Sequence, residues 1–174
     1  MLDKIISKKK TLPFAVLLLA IFSCAQEKAK NPKAIAQIAF DKILNAQEKD
    51  FEFYDKNFAQ YNDLVYLVKH NKVNDTIKSF ILDSLNVQKV KLEKEKNYNQ
   101  LKEGILNQNI IGNKTVFVDF TYKYDKESFF DLCKGVLYFS FEKKIYMVNF
   151  VAFKIDDYYK LAELSDVRLK TNDE

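Results

Sequence analysis

The feature that most constrains this 174-residue chain is a change of hydrophobic period at Gly104. Before it, apolar residues recur in steps of three and four; after it, they alternate with polar ones. The first spacing lays apolar side chains along one stripe of an α-helix, and the second lays them on one face of a β-strand. Helices first and strands second specify an α+β fold, with N-terminal helices packed on a curved antiparallel β-meander of four to five strands.

Asn31-Pro32 opens the helical half, because Asn caps a helix well and Pro suits its first position. Ile35, Ile38, Ala39, Ile43 and Ala46 follow on one side, widened by Phe40 and Leu44. This helix is expected to yield near Glu48-Lys49-Asp50, where Asp50 suits the cap of a second. Phe51, Tyr54, Phe58, Tyr61, Val65 and Val68 continue at helical spacing. One unbroken helix through His70 fits the same seam, since no Gly or Pro interrupts it. Two or three shorter helices are the expectation, because a helix near 40 residues is rare in a small domain. Asn74-Asp75-Thr76 carries new cap signals ahead of Ile77, Phe80, Ile81 and Leu85. Residues 89–103 are mostly Lys and Glu, which reads as the solvated face of a helix ending near Gly104.

Past Gly104, residues 115–124 place Val116, Val118, Phe120, Tyr122 and Tyr124 on one face. Gly112-Asn113 suggests a two-residue turn back to a short strand over 106–111. Residues 135–142 and 145–155 form two further strands joined across Lys143-Lys144. Asp156-Asp157 then turns the chain into a last strand over 158–169.

The first 23 residues have a different character. Lys4, Lys8, Lys9 and Lys10 precede an uncharged apolar run over 12–22, the layout of a secretory leader. Eleven residues are too few to cross a bilayer, which takes about 20. The run ends in Ile21-Phe22-Ser23-Cys24, which resembles a bacterial lipoprotein signal, with Phe22 bulkier than the usual occupant. That resemblance implies cleavage between Ser23 and Cys24 and lipid on Cys24. Residues 1–23 are then the signal peptide, 24–31 a lipidated tether and 32–172 a single α+β domain.

Loss of the leader removes four Lys and one Asp, so the mature chain keeps 24 basic and 23 acidic residues. Such a balance lacks the basic excess that nucleic acid requires, and no nucleic-acid partner is expected. A lone His and three scattered Gly rule out a multi-His metal site and a Gly-rich phosphate cradle. Neither a metal nor a cofactor is expected. With Cys24 acylated, Cys133 is the remaining thiol and reads as a small buried hydrophobe.

The pieces Ala39-Phe40…Leu44 with Lys49-Asp50-Phe51, the basic helix ending near Gly104, and the hairpin from Phe153 through Asp156-Asp157 to Tyr158, Tyr159 and Leu161 resemble a known superfamily. It is the nuclear-transport-factor-two-like (cone-shaped α+β) superfamily, and more narrowly the small bacterial lipoproteins that carry such a domain. Enzymes of that fold place an Asp, a His or both inside the cone. Here Asp119 lies on the more polar strand face and His70 lies between Lys69 and Asn71. No catalytic pair emerges, and the expectation is a non-enzymatic protein of the cell envelope, facing the periplasm or exterior. Its partners would be the membrane through the anchor, and a small apolar ligand or an envelope protein. A structural or accessory subunit of an envelope complex is the alternative, with an enzyme using Asp119 or His70 behind it. Tyr54, Phe58, Tyr61 and Tyr122 are the candidate ligand-binding residues, because concave sites are mostly apolar with a few polar groups.

Overall fold

The computed structural model describes residues 29–45, 51–56, 58–125 and 129–171. The leader, Cys24 and the cap at Asp50 lie outside the described residues. Helices α1 (Pro32–Asn45), α2 (Phe51–Asp55), α3 (Tyr61–His70), α4 (Asp75–Ser84) and α5 (Val87–Asn107) precede strands β1 (Val116–Asp125), β2 (Leu132–Phe141), β3 (Lys144–Ile155) and β4 (Tyr158–Leu169). The strands form one antiparallel sheet in the order β1-β2-β3-β4. The α+β architecture, helices on a curved meander, is therefore the one that the change of period implies.

Three helices start on an Asn whose side chain accepts from a first-turn N–H: Asn31 from Ala34 at 2.8 Å, Asn74 from Ile77 at 2.9 Å and Asn86 from Lys89 at 2.8 Å. Each such cap is worth about 1 kcal/mol. The chain does not run as one helix to His70. After α2 it extends, so that Phe58 bridges to Leu161 and the Ala59 N–H donates to the Leu161 carbonyl at 2.7 Å. Ala29 bridges the same strand at Tyr159, whose N–H donates to the Ala29 carbonyl at 2.7 Å. Together these segments occupy hydrogen-bonding positions along β4 that an edge strand would leave open.

One expectation for the chain after Gly104 is overturned. Residues 106–111 are not a strand, and Gly112–Lys114 is a 3-10 turn that no hairpin uses. Helix α5 ends near Gly104, at Asn107, and a Cβ on Gly104 would stand 3.0 Å from the Val167 Cβ, so its absence lets the helix lie close on β4. The end is a Schellman motif. Asn109 is left-handed (φ 52°), and the Ile110 N–H reaches back to the Ile105 carbonyl at 3.1 Å. Ile105 and Ile110 are both buried, as that motif's apolar contact requires.

The inner face of the sheet carries the core. Leu137, Phe139, Val148, Phe150, Leu161 and Leu164 are fully buried with Phe58, Val68, Leu101 and Ile105 from the helical half. Each large side chain of this kind contributes about 2–3 kcal/mol of transfer free energy. In β1 a register shift between Phe117 and Asp119 breaks the expected run of one-sided residues. Phe117 pairs with Phe139, and Phe120 with Leu137, so both lie on the inner face while Val116 lies on the other. A bulge adds one residue and reverses the alternation beyond it.

Candidate functional site

Helix α3 ends against the loop end of the sheet, and a cleft of about 440 Å³ lies between them. Its walls are tied in place by two contacts. The Tyr66 hydroxyl donates to Asp156 at 2.7 Å, joining α3 to the β3–β4 turn. The Asn71 side-chain amide donates to the Phe129 carbonyl, joining the end of α3 to the segment before β2. The Asn71 oxygen accepts from the Val73 N–H at 3.0 Å, which fixes the orientation of that amide. Leu67, Phe129 and Phe130 supply apolar surface, and Lys72, Lys154, Asp131 and Asp156 bring two charges of each sign.

His70 lines this cleft. Its ring stacks on Tyr66 with centroids 3.9 Å apart, and its Nδ1 lies 2.8 Å from the Tyr66 carbonyl. A carbonyl can only accept, so Nδ1 carries a proton and donates it to this contact, which leaves Nε2 facing away from the backbone partner. Asp156, by accepting from the Tyr66 hydroxyl, raises that phenol's pKa. The arrangement can hold a small polar molecule between a cation and an anion. The imidazole Nδ1–H and the Tyr66 phenol are each committed to a fixed partner.

Asp119 is exposed on β1, where its carboxylate accepts from the Phe120 N–H at 2.8 Å. It is not among the residues of the His70 cleft. Tyr54 and Phe58 lie in the interior, stacked with centroids 4.0 Å apart, and Tyr98 meets Tyr54 at 5.1 Å. These rings are mutual packing partners. Burial, then the nearby Glu163 carboxylate, push the Tyr54 phenol upward. Tyr61 is half-buried at the start of α3, and Tyr122 is 45% exposed on β1. The four aromatic candidates are thus divided between core and surface.

Cys133 is fully buried, and burial pushes its thiol up to about 11, which suits a packing role and opposes a nucleophilic one. Among the described residues, no three His, Cys, Asp or Glu side chains come together to hold a metal, and no helix is long and apolar enough to cross a membrane.

Sequence reasoning missed most of the cleft. It is built from three segments, 66–72, 129–131 and 154–156, of which His70 and the turn at Asp156 stand out in the sequence. The one available signal was the cluster of turn residues at Asp156-Asp157, which marks a sheet end where loops gather. No protein-family model, curated protein or solved structure matches this chain.

Proposed function

We propose that the chain is a membrane-tethered, extracytoplasmic binding protein, held by lipid on Cys24 and taking a small polar ligand in the His70 cleft. The observation that carries the binding role is the cleft itself: about 440 Å³, mainly polar walls with Leu67, Phe129 and Phe130 among them, and Lys72 and Lys154 set with Asp131 and Asp156. That volume falls within the usual range for small-molecule sites, and paired charges of opposite sign orient a ligand. The Ile21-Phe22-Ser23-Cys24 sequence supports the anchor. Helices followed by a curved meander support a nuclear-transport-factor-two-like domain within the same reading. The ligand that suits the cleft is polar, in place of the apolar one expected from the aromatic run.

Two measurements test this on the full chain in producing cells. Wild type should sediment with membranes and Cys24→Ala should be released; equal retention sinks the anchor. Native mass spectrometry of the detergent-extracted protein should show a reproducible small added mass. The double variant Lys72→Glu, Lys154→Glu should lose it. An empty wild type, or an added mass indifferent to both substitutions, refutes the ligand site.

An accessory role in an envelope complex has its own observation. Val116 and Val118 are exposed on β1, whose second edge pairs with no described strand. Co-purification of a second protein that is lost on Val118→Lys would favour that role.

A further inference from the structure

We infer that the surface around Ala29 and Tyr159 rests on the bilayer, with Tyr122 and Tyr124 in the headgroup layer. This inference takes the lipid on Cys24 from the proposed function as its premise. Five residues lead from Cys24 to Ala29, and a chain of that length spans at most about 18 Å. A folded domain of this size is roughly 35–40 Å across. The anchor therefore cannot bring the far pole of the domain to the membrane, and the surface around Ala29 is the one that meets it.

What lies around Ala29 suits a lipid interface. The Tyr159 N–H donates to the Ala29 carbonyl, and the Tyr159 hydroxyl lies 2.9 Å from that of Tyr124. Burial, then the bond with Tyr124, push the Tyr159 phenol upward, so that ring holds its proton and stays uncharged. Tyr122 meets Tyr124 edge-on at 5.7 Å and stacks on Phe120 at 5.6 Å. Tyr122 and Tyr124 remain 45% and 49% exposed. Lys30 and Lys33, both exposed, follow Ala29 directly in the chain. Tyrosine is enriched where an apolar ring meets water at a bilayer surface, and lysine beside it is drawn to anionic headgroups. The strongest rival surface is α4, where Phe80 is 75% exposed, but no described contact links it to the point where the tether enters.

The chain has no Trp, so a single introduced Trp reports its own position. The full, acylated protein would carry Tyr122→Trp, Lys30→Trp or Phe80→Trp in turn. Each would be reconstituted in vesicles of phosphatidylethanolamine and phosphatidylglycerol, with part of the lipid brominated near the headgroup end of its acyl chains. Trp at 122 and at 30 should be quenched by the brominated lipid, and Trp at 80 should not. Lys30 is exposed, so its variant tests the same face should Tyr122→Trp perturb the sheet. Quenching at 80 with none at 122 and 30 would put the membrane on α4 and overturn the inference. So would no quenching at any site, or a blue shift at 122 without quenching, which marks cover by protein. The mass of the N-terminal peptide separates the premise: an unacylated Cys24 removes anchor and inference together. An acylated Cys24 with an unquenched Trp at 122 and 30 removes the inference alone.

Discussion

Cys133 shows how one buried side chain makes stability depend on pH. Its thiol ionises near 9.0 when free and only near 11 in the fold, because burial disfavours the thiolate. The folded state therefore keeps a proton that the unfolded chain releases. Stability from this group is full below about 9 and is lost as pH rises toward about 11. Tyr54 and Tyr159 shift in the same direction and for the same leading cause, burial, so wild-type stability should fall throughout the alkaline range. Cys133→Ala isolates the thiol. Urea melts at several pH values between 8 and 11 should show the wild-type advantage over Cys133→Ala shrinking through that window. A constant difference would mean the thiol is not desolvated as its burial implies. At this scale the sequence was legible only in part: a lone Cys in a strand reads as a packed hydrophobe, but the Tyr124–Tyr159 hydroxyl contact joins residues 35 apart and no spacing reveals it.

At the scale of elements, the helix starts were readable because Asn caps act within four residues, and Asn31 and Asn74 announce α1 and α4 from local sequence. The cap that ends α5 was not, because Gly104 serves the close approach to Val167 whereas left-handed Asn109 makes the cap. A glycine signals the absence of a Cβ, and only the fold says which use is made of it. The β1 bulge was hidden for a related reason, since an alternating run looks the same until one residue is left unpaired. The β2–β3 hairpin carries a testable fault of this kind. Glu142 and Lys143 are its two loop residues, and both have positive φ, at 50° and 65°. A turn of that shape favours Asn followed by Gly. The double variant Glu142→Asn, Lys143→Gly should stabilise the protein by about 1 kcal/mol. A higher denaturation midpoint at an unchanged urea slope would bear this out. A fall in stability would show that these side chains hold contacts outweighing the backbone strain.

On the scale of the molecule, burial is distributed unevenly, and that sets which part opens first. The sheet and the elements around β4 are cross-linked by polar contacts as well as by the core. Gln60 donates to the Asp55 and Phe58 carbonyls and accepts from Lys94, which also pairs with Asp55. Asp63 accepts from the Gln60 N–H and from Lys160, tying α3 to β4. Helix α4 has no comparable attachment: it buries no residue, and Ile77 and Phe80 are exposed. Its apolar stripe is evident in the sequence, but spacing identifies a stripe and not whether anything covers it. The cleft was illegible for the same reason, as three segments distant in the chain must meet before it exists. Segments with few buried contacts open at a fraction of the global unfolding free energy. Hydrogen exchange on the full chain should therefore show α4 amides exchanging far faster than those of β2 and β3. Phe80→Ser should leave the denaturation midpoint nearly unchanged, by less than about 0.5 kcal/mol, since surface changes of this kind remove little packing. Protection of α4 equal to that of the sheet, or a large loss from Phe80→Ser, would mean that this helix is covered in the working protein and that Phe80 belongs to an interface.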